Sequence, residues 1–423
     1  MVIHLSSSNT KANAQKAALI IFLPLLVSLI PSIVLNDLVR IRLVGLPMGY
    51  IAMIIFVFYS TLMTASSRLK IDKYIAIMFL ACVCFVFPSS VTVDYQQHII
   101  VTSLVIFNLY LLELSVNLGS KVNRNLFPTF FERLWPLILV CLLSYIFVEQ
   151  HLKSSGFPNI FPFFFYRGAQ GAFLLALLTI VLFEINQGGK SRALRFTFVL
   201  IILSIVILES RTTYIAAALL LLLFASVSVS RSMVVLAILI LISGFLYIFP
   251  NYLERISRLS EVARLLTLDL DAAVVDGHSL YRIIYWTGSL EIISEYWMTG
   301  IGFGLADIQE RFSSDLQTLK SSISRPHNTY LSIIMGFGIV GALVYFFLLF
   351  RPALALIFKF QFTKKSMTPG RNILFGYILG VCIMMMGIDL ETNPQFTTIF
   401  GFTLGYIRSN RLYQNDTGIH QPK

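Results

Sequence analysis

Charge is what this chain has least of. Lys, Arg, Asp and Glu make up 13% of its 423 residues, about half the share of an ordinary soluble domain. That is too little to solvate a cytosolic surface, and the long apolar runs between the charges exclude a disordered chain. Cysteine is scarce as well. Cys82, Cys84, Cys141 and Cys382 all fall inside apolar runs, which offers neither a disulfide framework nor the Cys/His spacing of a metal site. What is present is apolar surface: 57% hydrophobic side chains and a mean hydropathy of +0.80. Such a composition makes a polytopic membrane protein.

A helix needs about 20 apolar residues to cross a bilayer. Twelve segments meet or approach that length: 17–35, 43–63, 74–92, 98–118, 135–149, 170–187, 193–210, 213–229, 233–249, 328–350, 373–390 and 395–408. The polar stretch before residue 17 reads as a cytoplasmic tail followed by a retained first span. With that end inside, 20 of the 32 Lys and Arg fall in inside loops and five in short outside loops. The remaining seven lie in one long outside segment, which counts little in the positive-inside rule. Both termini are therefore expected in the cytoplasm. The net charge of +11 follows from the same rule, so a nucleic-acid partner is not indicated.

The long outside loop holds ten acids against seven bases and is no polyanion patch. Its middle, Ser279-Leu280-Tyr281-Arg282-Ile283-Ile284-Tyr285-Trp286, predicts a helix capped by Ser279 with an apolar stripe. Gly300-Ile301-Gly302-Phe303-Gly304 predicts a turn, since no Lys-Ser/Thr follows as a phosphate loop requires.

The residues able to carry chemistry collect on the outer face. Arg211, in Glu209-Ser210-Arg211-Thr212-Thr213-Tyr214, stands in a tight turn where Thr212 or Thr213 should begin the next helix. An Arg beside a helix N-terminus is a ready anion site, although an Arg snorkelling to lipid headgroups accounts for it too. Arg325-Pro326-His327-Asn328-Thr329-Tyr330 repeats the arrangement, with Asn328 able to cap the tenth span. Arg282 is the third cation. Two or three Arg near two helix N-termini would hold a dianion without a metal. Asp269-Leu270-Asp271 resembles the paired acids that hold a divalent cation in nucleotide-sugar enzymes, but without supporting context it reads as a solvated turn. Asp37, Asp389 and Glu391 are further outward acids, one of which could orient His327 or pair an Arg. Within the spans Glu113 is the one charge expected.

These residues resemble the bacterial O-antigen ligase and O-antigen polymerase superfamily of multispan glycosyltransferases, most strongly over 195–350. The resemblance rests on Ser210-Arg211-Thr212-Thr213, on Leu280-Tyr281-Arg282 through Trp286, on Gly300 to Gly304, and on His327-Asn328-Thr329-Tyr330-Leu331 running to Gly336-Phe337-Gly338. Ten residues separate Arg325 from Gly336 in the polymerase manner, and ten separate His327 from Gly338 in the ligase manner. The resemblance implies an all-α integral membrane fold of about 12 transmembrane helices, like a C-type membrane glycosyltransferase, in the bacterial inner membrane. It divides the chain into a nine-helix region (1–249), a large periplasmic loop carrying part of the active site (250–327), and a three-helix region with a cytoplasmic tail (328–423).

It also implies a donor, an undecaprenyl diphosphate-linked oligosaccharide, with His327, Arg211 and Arg282 catalytic and Arg325, Asn328, Tyr330 and Tyr281 binding substrate. No cofactor and no metal is implied. The acceptor is a second lipid-linked repeat unit in a polymerase, or lipid A-core in a ligase, and a chain-length regulator is a further candidate partner of the first. A lipid-linked sugar transporter is the rival of another class. Transporters favour inverted repeats and mid-membrane charges, and neither is evident here.

Overall fold

The computed structural model describes residues 95–120, 167–186, 192–208, 210–225, 235, 237–242, 277–303, 327–361, 369–390 and 394–416. The segments expected to span at 17–35, 43–63, 74–92 and 135–149 lie outside these residues, as do Arg325, Asp37, Asp269, Asp271 and Glu391. Among the described residues all regular structure is helical. The helices are α1 (Tyr95–Gly119), α2 (Arg167–Asn186), α3 (Arg192–Ile207), α4 (Arg211–Ala225), α5 (Gly277–Glu295), α6 (Thr329–Gln361), α7 (Pro369–Met385) and α8 (Pro394–Asp416). α5 starts two residues before Ser279, so Ser279 is its third residue and not its cap.

Helices apolar on every face must be buried in protein or lipid, and both surfaces are seen. Leu111, Leu175, Leu220, Tyr345, Tyr377, Phe400 and Tyr406 are buried between helices, whereas Leu203, Ile215, Leu222, Leu343, Phe347 and Phe375 point outward. Association within a bilayer depends on close backbone approach. α8 supplies it through Gly401 and Gly405, whose missing Cβ atoms would fall 2.5 Å and 2.2 Å from the carbonyl oxygens of Leu112 and Val116 on α1. The ascending register on both sides shows that α1 and α8 are parallel. Gly376 and Gly380 of α7 meet Leu220 and Ala216 of α4 in descending register, so that pair is antiparallel.

The helices hold more charge than the single Glu113 expected, since Glu184 lies within the 170–187 segment and Arg351 within α6. Glu113 of α1 pairs with Arg351 of α6. Glu184 of α2, buried, accepts a hydrogen bond from Tyr406 Oη of α8. Both acids are partnered across helices, as the cost of burying a polar group in a low-dielectric interior demands.

α6 departs furthest from expectation. The segment Thr329–Phe358 is long and apolar enough to cross a membrane, and a straight span over 328–350 was expected. Instead the chain turns a corner at Gly338 (φ 68°, ψ 179°). Tyr330 and Phe346, on opposite sides of that corner, stand with ring centroids 5.1 Å apart; a continuous helix would separate them by about 24 Å. α6 is thus two arms, a short one over 329–337 and a long one over 339–361. At about 1.5 Å per residue the long arm alone can cross a hydrocarbon core of about 30 Å. It also takes Arg351 and Lys359 into helix, where a loop was expected.

Candidate functional site

Just before the short arm of α6 stands His327, which has φ 48°, an unusual left-handed conformation for a residue other than glycine. Asn328 follows and caps the arm: its side-chain oxygen accepts from the amides of Tyr330 (3.0 Å) and Leu331 (3.2 Å). Asn328 is therefore placed as a helix cap, a sufficient reason for its identity without any ligand. Tyr330 donates its hydroxyl to the carbonyl of Cys382 on α7 at 3.1 Å. That bond ties the arm to α7.

The turn after α7 is tied down as tightly. Thr329 Oγ1 donates to the carbonyl of Ile388 at 2.7 Å and accepts from the amide of Leu390 at 2.9 Å. One hydroxyl grips the backbone on both sides of Asp389. The Asp389 carboxylate, nearly buried, meets His327 Nδ1 at 2.9 Å through one oxygen. Its other oxygen is 3.4 Å from the Ser332 hydroxyl. The His327 side chain is 46% exposed, so Asp389 holds the inner edge of a ring whose other edge is open. A carboxylate on Nδ1 fixes the tautomer with Nδ1–H donating, which leaves the Nε2 lone pair free to take a proton.

The same turn carries the site to α4. Gly387 lies two residues before Asp389, and a Cβ there would fall 2.6 Å from Thr212 Cγ2. Thr212 adjoins Arg211, which opens α4 one or two residues earlier than expected. Ser210 precedes it as the cap. Its carbonyl accepts from the Tyr214 amide (3.0 Å) and its hydroxyl from Thr213 Oγ1 (2.8 Å). Tyr214 Oη returns to the carbonyl of Val206 at 2.6 Å, closing the α3–α4 turn. The N-terminus of α4, where half-buried Arg211 stands next to Thr212, therefore packs on the 386–390 turn that carries Asp389. Two helix N-termini converge there, one with Arg and one with His.

The third part comes from the segment just before α6, expected from the sequence to lie outside. Tyr281 and Arg282 sit in the first turns of α5, which packs against α6. After α5 the chain runs into the corner of α6. The amides of Ile301 and Gly302 donate to the carbonyls of Met335 (2.8 Å) and Gly336 (3.1 Å), and the amide of Ile339 donates to the carbonyl of Trp297 (2.8 Å). These bonds satisfy the backbone groups that a broken helix leaves open. A Cβ on Gly338 would lie 2.0 Å from Met298 O, and one on Gly300 would lie 2.6 Å from Gly338 N. The two glycine-rich motifs are one joint. His327 and Gly338, with ten residues between them in the sequence, flank the two ends of the short arm.

Residues 196–346 match the family model described as O-antigen ligase. The match supports a likeness of this region to the O-antigen ligase and polymerase superfamily. The O-antigen ligase domain runs from the start of α3, through Arg211 and α5, to the long arm of α6, so it contains every part of the site except the α7 turn with Asp389. No curated protein matches the chain. Proteins of that family are integral membrane proteins of the glycosyltransferase kind, and the match supports an enzyme of that general sort. Sequence reasoning named Asp389 only among three possible acids and missed Thr329 and Ser332 as its supports. It missed His98 of α1 altogether: a lone His at the mouth of an apolar run has no spacing that marks it.

Proposed function

We propose that this protein polymerises a cell-surface polysaccharide, moving an undecaprenyl diphosphate-linked glycan onto a lipid-linked repeat unit at the periplasmic face of the inner membrane. The observation that carries this reading is the His327–Asp389 pair on the turn that packs against the N-terminus of α4, where Arg211 stands. An acceptor hydroxyl attacks the anomeric carbon of the donor sugar and its proton passes to His327 Nε2. As the new glycosidic bond forms, the bond from the anomeric carbon to the diphosphate oxygen breaks, and the lipid diphosphate leaves with the electron pair. Asp389 stabilises the imidazolium that results. Charge grows on the departing oxygen, where Arg211 and the N-terminus of α4 are suited to meet it. Arg282 and Arg325 are further candidates for that diphosphate, and Tyr281 for the sugars.

Ligation to lipid A-core is the second reading, favoured by the description of the matching family model. The donor chemistry is shared and only the acceptor differs. The deciding experiment reconstitutes purified protein with a lipid diphosphate-linked repeat unit, alone or with lipid A-core. A ladder of glycans on the lipid carrier supports polymerisation, and transfer only to lipid A-core supports ligation. Movement of the lipid-linked sugar across the bilayer without a new glycosidic bond would make the protein a transporter.

A further inference from the structure

The corner of α6 is held from a third side. His98, in the first turn of α1 and buried, accepts a hydrogen bond at Nδ1 from the backbone amide of Phe303 at 3.0 Å. Accepting at Nδ1 requires the Nε2–H tautomer, and Nε2 lies 3.1 Å from Thr102 Oγ1, its acceptor one turn along. The imidazole stacks on the Phe303 ring (centroids 5.8 Å, planes 16° apart). Phe303 in turn meets Phe337 edge-on at 4.9 Å and covers Gly336, where a Cβ would fall 2.5 Å from its ring. One ring of α1 thus clamps the last described residue of the 297–303 strap onto the end of the arm that follows His327.

We propose that His98 is a positioning residue for glycan transfer, setting the outer-loop helix α5 and the short arm of α6 in register so that Arg282 and His327 act on one substrate. This rests on the proposed transferase function. α1 does not need His98 to keep its own place, because Arg351 binds Glu113 and α8 packs on α1 through Gly401 and Gly405. What His98 adds is the hold on Phe303. Misplacing a reacting group by about 1 Å can cost about 100-fold in rate without loss of binding.

The test compares His98→Ala with His98→Asn, since an Asn side-chain oxygen stands close to where Nδ1 stood and can accept the Phe303 amide. Hydrogen–deuterium exchange of the 297–303 peptide and the kinetics of repeat-unit transfer are read on the same detergent-purified full-length protein. His98→Ala should speed exchange of that peptide and lower kcat by about 10- to 100-fold with donor KM changed by less than about threefold. His98→Asn should restore both readouts to near wild type. Faster exchange with unchanged kcat would overturn the proposal. So would equal loss of kcat in Ala and Asn, or a fall in melting temperature that tracks the loss in both. Failure of the wild-type protein to form glycosidic bonds would instead defeat the transferase reading, and the exchange measurement would still report whether His98 holds the strap.

Discussion

At the scale of single residues, the site was legible where a local rule exists and illegible where only the fold supplies the partner. Asn328 could be named as a cap because Asn before an apolar run has a mechanism, and Arg211 because an Arg at a helix start does. That Asp389 belongs to His327 depends on Thr329 gripping Ile388 and Leu390 from 59 and 61 residues away, which no spacing reveals. Asp389→Asn keeps the shape of the pair but loses the charge that steadies the imidazolium and the preference for the Nδ1–H tautomer. It should lower kcat for repeat-unit transfer by about 100- to 10,000-fold, as His327→Ala should. The double variant should be scarcely worse than either, because the two act as a unit. Multiplicative losses in steady-state transfer assays would show that they act apart. Arg211→Lys keeps a cation but loses the planar fork that grips a diphosphate. Turnover should fall by about 100-fold if Arg211 meets the leaving group, and wild-type turnover would return it to the role of a headgroup anchor.

At the scale of elements, hydropathy located α1, α2, α3, α4, α7 and α8 to within a few residues at most of their ends, because a bilayer demands length and apolarity and the sequence displays both. The corner in α6 was not legible. Gly336-Phe337-Gly338 lies in an unbroken apolar run, and isolated glycines are common in membrane helices. What breaks the helix is the strap that follows α5, which supplies its own amides and carbonyl to the open backbone groups. Gly338→Ala tests this. Its Cβ would meet Met298 O at 2.0 Å, and its backbone (φ 68°, ψ 179°) lies in a region almost confined to glycine, a cost of about 1–3 kcal/mol before the clash is counted. The variant should melt earlier in detergent and lose transfer. Gly370→Ala, whose nearest neighbour is Phe183 at 3.3 Å, should stay close to wild type on both counts. Equal behaviour of the two would mean that the corner is not required.

At the scale of the whole molecule, composition alone separated this chain from soluble enzymes, and the packing adds the relative directions of the helices. α1, α8 and the long arm of α6 run one way, the last shown by the Glu113–Arg351 pair at one end and Phe303 bridging His98 to Phe337 at the other. α7 runs against α4. Direction relative to the membrane comes only from charge. From the 20-to-five partition of Lys and Arg, we propose that the termini are in the cytoplasm and the loop before α6 is outside. A cysteine introduced near Asp315, in a background with the four native cysteines replaced, should therefore react with a membrane-impermeant thiol reagent in intact cells once the outer membrane is permeabilised. One near Lys364 should react only after the inner membrane is broken. The reverse pattern would put His327, Asp389 and Arg211 on the cytoplasmic side. A donor presented in the periplasm could not reach them there, and the proposed transfer would fail on topology before any question of chemistry.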